Sequence, residues 1–399
     1  IAEGAFSFVE LRANVSTSTL VALKRVVLRG EGDDLSNGRR EVEYMRQLRH
    51  PHIVTVFGAA ELPASAQRPF AELMIAMEFC VGGRLPETLA QRNGRQLPEA
   101  EVLHAFRGVA SAVAHMHAQK PPVLHLDLKA ENVLLTEVVD LSSSDALPPL
   151  KVCDFGSATT EPPTLTRAGG TRHLAADQER FDAITTLAYR SPELADLRGA
   201  ADRGEKLGPP ADAWALGVLL FRLSFLAMPF EDNILAILGG QWSVPAGATA
   251  SPGLTALLKG LLEVHPDQRM TAADAVAVVD KLLKSARGSD LACAEAAGST
   301  ELPRWMSHSA SGRGGAPVEA EWTPDFGTNF GCDVRSPAAA GAGGAQMQTA
   351  ALETCTTTPR RGSNGGGMSG SVTANNKCGR GRGHESSTQV EIKGSSVLL

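Results

Sequence analysis

The sequence predicts an α+β fold of two lobes, a small sheet-rich lobe followed by a larger helical one, with a disordered tail after them. Three observations carry this. Four short apolar runs, residues 7–12, 20–27, 53–58 and 73–79, read as strands, with one helix-compatible stretch at 38–48 among them. Beyond residue 80 the apolar spacing becomes helical. After Lys284 it stops: residues 286–399 hold 19 of the 40 glycines, with frequent Ser, Thr and Ala.

The elements follow in order. Pro98 opens a long helix whose Val102, Phe106, Val109, Val113 and Met116 form one buried stripe. Val133-Leu134-Leu135 and Leu150-Lys151-Val152-Cys153 are strand-like. Helices are expected over 209–226, 253–264 and 272–284. The first of these, with Asp212-Ala213-Trp214-Ala215-Leu216-Gly217-Val218-Leu219-Leu220, is apolar nearly all round, as a central buried helix is. It is no membrane span, because Asp212, Arg222 and Pro229 interrupt it well before about 20 apolar residues accumulate. The expected division is one domain over 1–284, with lobes at 1–80 and 81–284, and the tail from 285 to 399.

Composition narrows the class. With 399 residues and 43% hydrophobic content the chain can bury a large core. Ten of the 38 basic and ten of the 44 acidic residues fall in 286–399, which leaves 28 against 34 and assigns the whole net charge of −6 to the folded region. That argues against nucleic acid as a partner, and Cys378-Gly379-Arg380-Gly381-Arg382-Gly383 reads as a solvated linker. The six cysteines include no C-x-x-C pair, so neither a disulfide framework nor a zinc site is indicated, and a cytoplasmic location fits. No signal peptide or transmembrane stretch is visible, and the missing start methionine leaves the N-terminus open.

One pair of segments carries chemistry. His125-Leu126-Asp127-Leu128-Lys129-Ala130-Glu131-Asn132, followed by Asp154-Phe155-Gly156, is a set of spaced acids, an amide and a lysine. Moving a phosphoryl group to a hydroxyl needs a carboxylate to orient the hydroxyl and accept its proton, and oxygen ligands to hold Mg2+ against a triphosphate. Asp127 suits the first task, Asn132 and Asp154 the second. Lys129 suits the neutralisation of charge growing on the transferred group. The two segments resemble the protein kinase catalytic loop H-R-D-L-x-x-x-N and metal-binding D-F-G.

The resemblance extends in both directions. Leu20-Val21-Ala22-Leu23-Lys24 resembles the kinase V-A-I-K, whose lysine holds the α and β phosphates. Of two glutamates offered by the helix, Glu41 lies beside the stripe of Val42, Met45 and Leu48, whereas Glu43 falls with Arg46 and Gln47, so Glu41 is assigned to Lys24. The opening Ile1-Ala2-Glu3-Gly4-Ala5-Phe6-Ser7-Phe8-Val9 lines up with the glycine-rich loop, keeping Gly4 and Val9 while Ala2 and Ser7 replace the outer glycines. By the same resemblance Ala22 lines the nucleotide, Met77 stands behind it, and backbone groups at Glu78 and Cys80 meet the adenine edge. Thr186 falls where serine/threonine kinases place a hydroxyl that bonds the catalytic Asp and Lys. Ser191-Pro192-Glu193 stands in for A-P-E, and Arg269 matches the arginine that pairs with its glutamate.

A narrower likeness rests on Cys153-Asp154-Phe155-Gly156-Ser157-Ala158-Thr159-Thr160, on Gly204-Glu205-Lys206 and on Pro229-Phe230-Glu231-Asp232. These resemble the Numb-associated kinase family over about residues 1–284. The resemblance implies ATP and Mg2+ as cofactors, serine or threonine hydroxyls of proteins as acceptors, clathrin-adaptor partners in vesicle traffic, peripheral membrane contact and a monomer. The tail lacks that family's Asp-Pro-Phe or Asn-Pro-Phe repeats; Pro324-Asp325-Phe326 has another order. Leu126 is a second departure, since most kinases carry there the arginine that grips a phosphorylated activation segment. With helix-compatible residues between Arg172 and Ala183, it suggests activity without that phosphorylation. Three readings stay open on sequence: an active kinase, a nucleotide-binding scaffold signalled by Leu126 and the depleted glycine loop, and an interaction protein acting through its tail.

Overall fold

The computed structural model describes residues 2–3, 7–14, 18–28, 33–65, 69–140, 145–165 and 171–296. All the elements belong to one compact unit, Ile1–Phe330 with Leu398–Leu399; the other, Gly331–Val397, lies outside the described residues, as does most of the expected tail.

The first lobe is a five-stranded antiparallel sheet, β1 (Ala2–Glu3), β2 (Ser7–Ala13), β3 (Leu20–Leu28), β4 (Val56–Leu62) and β5 (Ala71–Glu78), in the order β1-β2-β3-β5-β4. Helix α1 (Asp33–Gln47) packs on it. Val42, Met45 and Leu48, spaced at one turn, turn inward and are 6%, 3% and 2% exposed. The helix begins five residues earlier than periodicity suggested and runs through Gly38. A Cβ at Gly38 would stand 2.6 Å from Leu73 Cδ2, so the glycine that looked like a boundary is a point of close helix–sheet approach.

Strand β4 also differs from expectation, starting at Val56 instead of Ile53. Ile53 and Val54 are buried without belonging to the sheet, because they reach across to the second lobe. Val54 N–H donates to Val152 O at 2.9 Å and Val152 N–H to His52 O at 2.8 Å. Their apolar character reflects that seam.

The second lobe contains α2 (Leu85–Ala90), α3 (Glu99–His117), the hairpin of β6 (Val133–Leu135) and β7 (Leu150–Val152), then α4 (Thr171–Ile184), α5 (Pro192–Ala195), α6 (Leu197–Asp202), α7 (Pro209–Phe225), α8 (Ile234–Gly239), α9 (Pro252–Leu261) and α10 (Ala272–Ala296). Helix α7 is the apolar centre. Trp214 is fully buried there, its ring stacked 5.2 Å from Phe230, and α3 and α9 pack on its flanks. The stripe read in α3 is buried in full, Val109, Val113 and Met116 at 0% exposure. Helices α2, α5, α6 and α8 have four to six residues, too short for periodicity to reveal. Helix α10 continues to Ala296 instead of ending near 284.

The lobes are joined at Val81-Gly82-Gly83. A Cβ on Gly82 would meet Glu137 O at 2.1 Å, and Gly83 has φ +74°, so both glycines are sterically required. A second, smaller apolar cluster is separate from the main core: Leu126 is buried with Leu124, Leu165, Leu174, Phe181 and Leu194. In the base of this lobe Glu193 accepts from both terminal nitrogens of Arg269, at 2.7 and 2.9 Å, with both side chains at 0% exposure. Arg269 also donates to three backbone carbonyls, Glu263 O, Pro210 O and Val264 O, so its charge is satisfied on every side.

Two measurements test this architecture. Arg269→Met strands the Glu193 carboxylate, and urea unfolding is expected to lose about 3–5 kcal/mol; a loss below about 1 kcal/mol would contradict the assigned pairing. His50, beside the seam, is pushed down to about 4 by burial and by His115, His52 and Lys151. A histidine with a lowered folded pKa binds more protons unfolded, so its stabilisation is present above its ordinary pKa of about 6.5 and is lost as pH falls toward 4. Melting temperature is expected to fall across that window, and less steeply in His50→Gln.

Candidate active site

The site is built where the seam, the β6–β7 hairpin and the N-terminus of α7 meet. Leu124 bonds Thr159 in both directions, at 2.9 and 3.0 Å, fixing the segment that enters the loop. The next two amides are captured by one carboxylate: Asp212 accepts from His125 N–H and Leu126 N–H, each at 2.8 Å, and lies 2.9 Å from His117 Nε2. Burial works against charge on Asp212, yet His117 and His125 outweigh it and hold the carboxyl below its usual range. Leu126 is thereby held at φ +62°, a left-handed conformation that a leucine adopts only under constraint.

That bend presents Asp127. Its Oδ1 accepts from Thr186 Oγ1 at 2.9 Å, and its Oδ2 lies 2.7 Å from Lys129 Nζ. Lys129 Nζ in turn donates to Thr186 Oγ1 at 2.8 Å, closing a three-membered cluster. Asn132 Nδ2 donates to Asp127 O at 2.8 Å, which ties the loop to itself. The carboxylate is held by donors at both oxygens, and a proton-accepting group is thus pre-aimed.

Strand pairing assembles the other half. The register Val133↔Val152 places Asn132 opposite Cys153, whose N–H donates to Asn132 O at 3.0 Å, so Asp154 follows directly. Asp154 has φ +61° and its side chain is half exposed, while Phe155 beside it is buried and lies 5.3 Å from the His125 ring. Lys24 Nζ donates to Glu41 Oε1 at 2.7 Å and to Asp154 Oδ1 at 3.0 Å, and so bridges the lobes. Burial disfavours the Lys24 ammonium, but Glu41 and Asp154 outweigh it and hold its pKa above the ordinary range. Lys24 in return holds Asp154 below the usual carboxylate range.

Among the described residues no three His, Cys, Asp or Glu side chains converge as a metal cage. An exposed carboxylate next to a loop amide is nonetheless a hard-oxygen pair suited to Mg2+, which keeps water and phosphate ligands and takes few from protein.

The sheet forms the wall above. Val9 pairs with Lys24, Leu11 with Ala22, and Met77 with Ala22, so Val9, Ala22, Lys24 and Met77 share one face. Glu78 N–H is taken by Thr55 O at 2.8 Å, which leaves its carbonyl as the group that can meet a ligand edge. Cys80 is buried and its thiol is pushed up to about 11 by burial and Glu78, so it lines the joint as a neutral group. Gly4 lies outside the described residues.

Sequence reasoning passed over Asp212, noted only as a helix boundary. The available signal was a lone acid in a nearly all-apolar helix, which has to be paired when buried. It also passed over the contact of Arg222 with Glu131 and Tyr189, which joins segments far apart in the chain.

Similarity to known proteins falls on these same segments. The family description of the protein kinase domain matches residues 1–279. A probable serine/threonine-protein kinase of Dictyostelium discoideum is 37% identical over 273 residues, covering 67% of this chain and 23% of its own length. A second from that organism is 32% identical over 290 residues, covering 72% and 34%. Actin-regulating kinase 1 of Saccharomyces cerevisiae is 33% identical over 258 residues, covering 64% and 38%. The chain thus spans about a quarter to two-fifths of the length of these relatives. Because the matched domain takes in the seam, the hairpin and the loop held by Asp212, this chain belongs to the protein kinase family.

Proposed function

We propose that the chain is an ATP- and Mg2+-dependent protein kinase that phosphorylates serine or threonine hydroxyls. The observation that carries this is the simultaneous closure of Lys24 on Glu41 and Asp154 and of Asp127 on Lys129 and Thr186. Bound Mg2+-ATP supplies the phosphoryl group and neutralises charge on the triphosphate. Asp127 orients the acceptor hydroxyl and takes its proton as the new O–P bond forms and the bond to the leaving diphosphate breaks. Lys129 offsets negative charge on the transferred group. Asn132 and Asp154 would supply metal-binding oxygens, and Lys24, fixed by Glu41, would meet the phosphates. Val9, Ala22, Met77 and the backbone of Glu78 and Cys80 would enclose the base.

Thr186, bonded to both Asp127 and Lys129, supports serine and threonine over tyrosine acceptors, as do the names of two relatives. The narrower reading, a Numb-associated kinase acting in the cytoplasm as a monomer on clathrin-adaptor or vesicle-traffic proteins, rests on the motifs at 153–160, 204–206 and 229–232. One relative is named for actin regulation, which makes actin-associated proteins a second substrate class. No helix among the described residues is long and apolar enough to cross a membrane.

Leu126 favours catalysis over decay. Its backbone keeps the bend that aims Asp127, while its side chain packs with Leu174 and Phe181 of α4. Contact that a phosphate–guanidinium pair would otherwise supply is made here by apolar burial, so the segment needs no phosphate to dock.

Two assays decide these points. In radiolabelled phosphate transfer to a basic protein and to an adaptor subunit, Asp127→Asn and Lys24→Met are expected to lower the rate by about 10²–10⁴-fold; equal transfer by all three proteins would sink the catalytic reading. Phosphatase treatment of the wild-type chain is expected to leave its rate unchanged. Abolished activity would refute phosphate-independent docking.

A further inference from the structure

The loop that carries Asp127 holds a second acid for which the proposed chemistry has no use. Glu131 sits in the 3-10 turn Ala130–Asn132, and the two oxygens of its carboxylate differ. Oε1 accepts from Arg222 Nη1 at 3.0 Å, whereas Oε2 is buried with no hydrogen-bond partner. The same Arg222 nitrogen donates to Tyr189 Oη at 2.9 Å, and Tyr189 Oη accepts from Ala130 N–H at 3.3 Å. Tyr189 ends the turn Leu187–Tyr189, which follows directly on Thr186. The pair therefore ties three elements together beside Asp127: the loop, the segment after Thr186, and α7.

Glu131 lies four residues after Asp127 in the same loop, where a substrate chain reaching Asp127 would pass close by. A chain presenting its hydroxyl to Asp127 carries its neighbours past at about 3.3 Å per residue, and the side chains of Arg and Lys span two such steps. The pair is partly open to them, with Arg222 24% and Glu131 38% exposed. A carboxylate so placed would ordinarily draw a basic residue of the incoming chain by a charge-assisted hydrogen bond. Here the chain's own guanidinium already holds it.

We propose that Arg222 is a specificity-determining residue: it occupies on Glu131 the position that a substrate's Arg or Lys would take, so that the enzyme accepts serine and threonine segments lacking a basic residue beside the acceptor. The inference rests on the kinase reading and names the substrate class of that same site. Glu131 is compensated from within: Oε1 is already taken by Arg222 and Oε2 is buried, so a basic side chain would have to displace Arg222 to reach the carboxylate.

The test is a positional-scanning peptide library with a fixed serine or threonine acceptor, read as initial rates with the full chain. Wild type is expected to show no preference for Arg or Lys at any flanking position. Arg222→Gln frees Glu131 and is expected to gain a preference of about three- to tenfold for a basic residue at one position. Arg222→Lys restores the wild-type profile. Adding Glu131→Gln to Arg222→Gln removes the gain, and Glu131→Gln alone frees Arg222 and shifts the profile toward Asp or Glu. A purely structural role for the pair would lower all rates alike and leave the profile unmoved. Active variants with unchanged profiles, or a wild type that already selects basic residues, would overturn the proposal alone. Absence of transfer by every protein to every peptide would overturn the kinase reading and this inference with it.

Discussion

The buried carboxylate of Asp212 is the constraint on which the rest of the site depends. At 1% exposure it cannot rely on water, and an uncompensated charge there would cost several kcal/mol. It is compensated by the amides of His125 and Leu126 and by the His117 ring, donors from the loop and from α3. Those bonds do more than satisfy the charge. They hold Leu126 in the left-handed region and so determine where the next residue points, and that residue is Asp127. Because Asp212 stands on α7, a helix buried along nearly its whole length, the direction of Asp127 is referenced to the rigid centre of the lobe. A loop becomes as precise as the core that grips it.

The same logic of reference to something rigid explains how two lobes build one site. Lys24 comes from a strand of the sheet, Glu41 from the helix on it and Asp154 from the end of a strand in the other lobe, yet all three meet within 3.0 Å. The backbone exchange of His52 and Val54 with Val152 fixes the distance between sheet and hairpin, and Val152 lies two residues before Asp154. A shift at the seam is therefore felt at the Asp154 carboxylate almost directly. The bridge through Lys24 is electrostatic and partly buried, and its two acids hold the ammonium charged despite the burial.

What sequence could reveal divides along the range of the interaction. Glu41 was separable from Glu43 because a helix imposes its own periodicity, and Lys24 was legible through the likeness of its segment to V-A-I-K. Asp127, Lys129 and Asn132 lie within six residues and were legible as a unit. Asp154 was legible through the likeness of Asp154-Phe155-Gly156 to D-F-G, after the strand-like run that precedes it. By contrast Asp212 meets its amides across 86 and 87 residues, and Arg222 meets Glu131 across 91, with no local pattern to announce either. The misplaced start of β4 has a related cause. Ile53 and Val54 are apolar for the sake of a contact with another lobe, and burial of that kind looks in one dimension like the beginning of a strand. Gly38 misled in the opposite direction, since a residue chosen for lack of a side chain against Leu73 resembles a helix boundary.

Leu126 shows how a motif position can change its side chain while its backbone geometry is kept. Two separable demands fall on this residue. The backbone has to bend, and that demand is met by Asp212 acting on amide groups, which every residue type except proline possesses. The side chain has to secure the segment that carries Thr186, and that demand concerns only contact. In this chain the segment includes a 14-residue helix, α4, whose Leu174 and Phe181 are 2% exposed and lie in one cluster with Leu126, Leu165 and Leu194. An arginine there would place an unpaired charge among apolar groups unless a phosphate arrived to meet it, whereas leucine is satisfied at all times. Polar anchoring can be switched by adding or removing a charge; apolar anchoring is set when the protein folds. On the proposed function, the substitution therefore bears on how the segment is anchored and not on the aim of Asp127, because the atoms that aim Asp127 are not the atoms that differ.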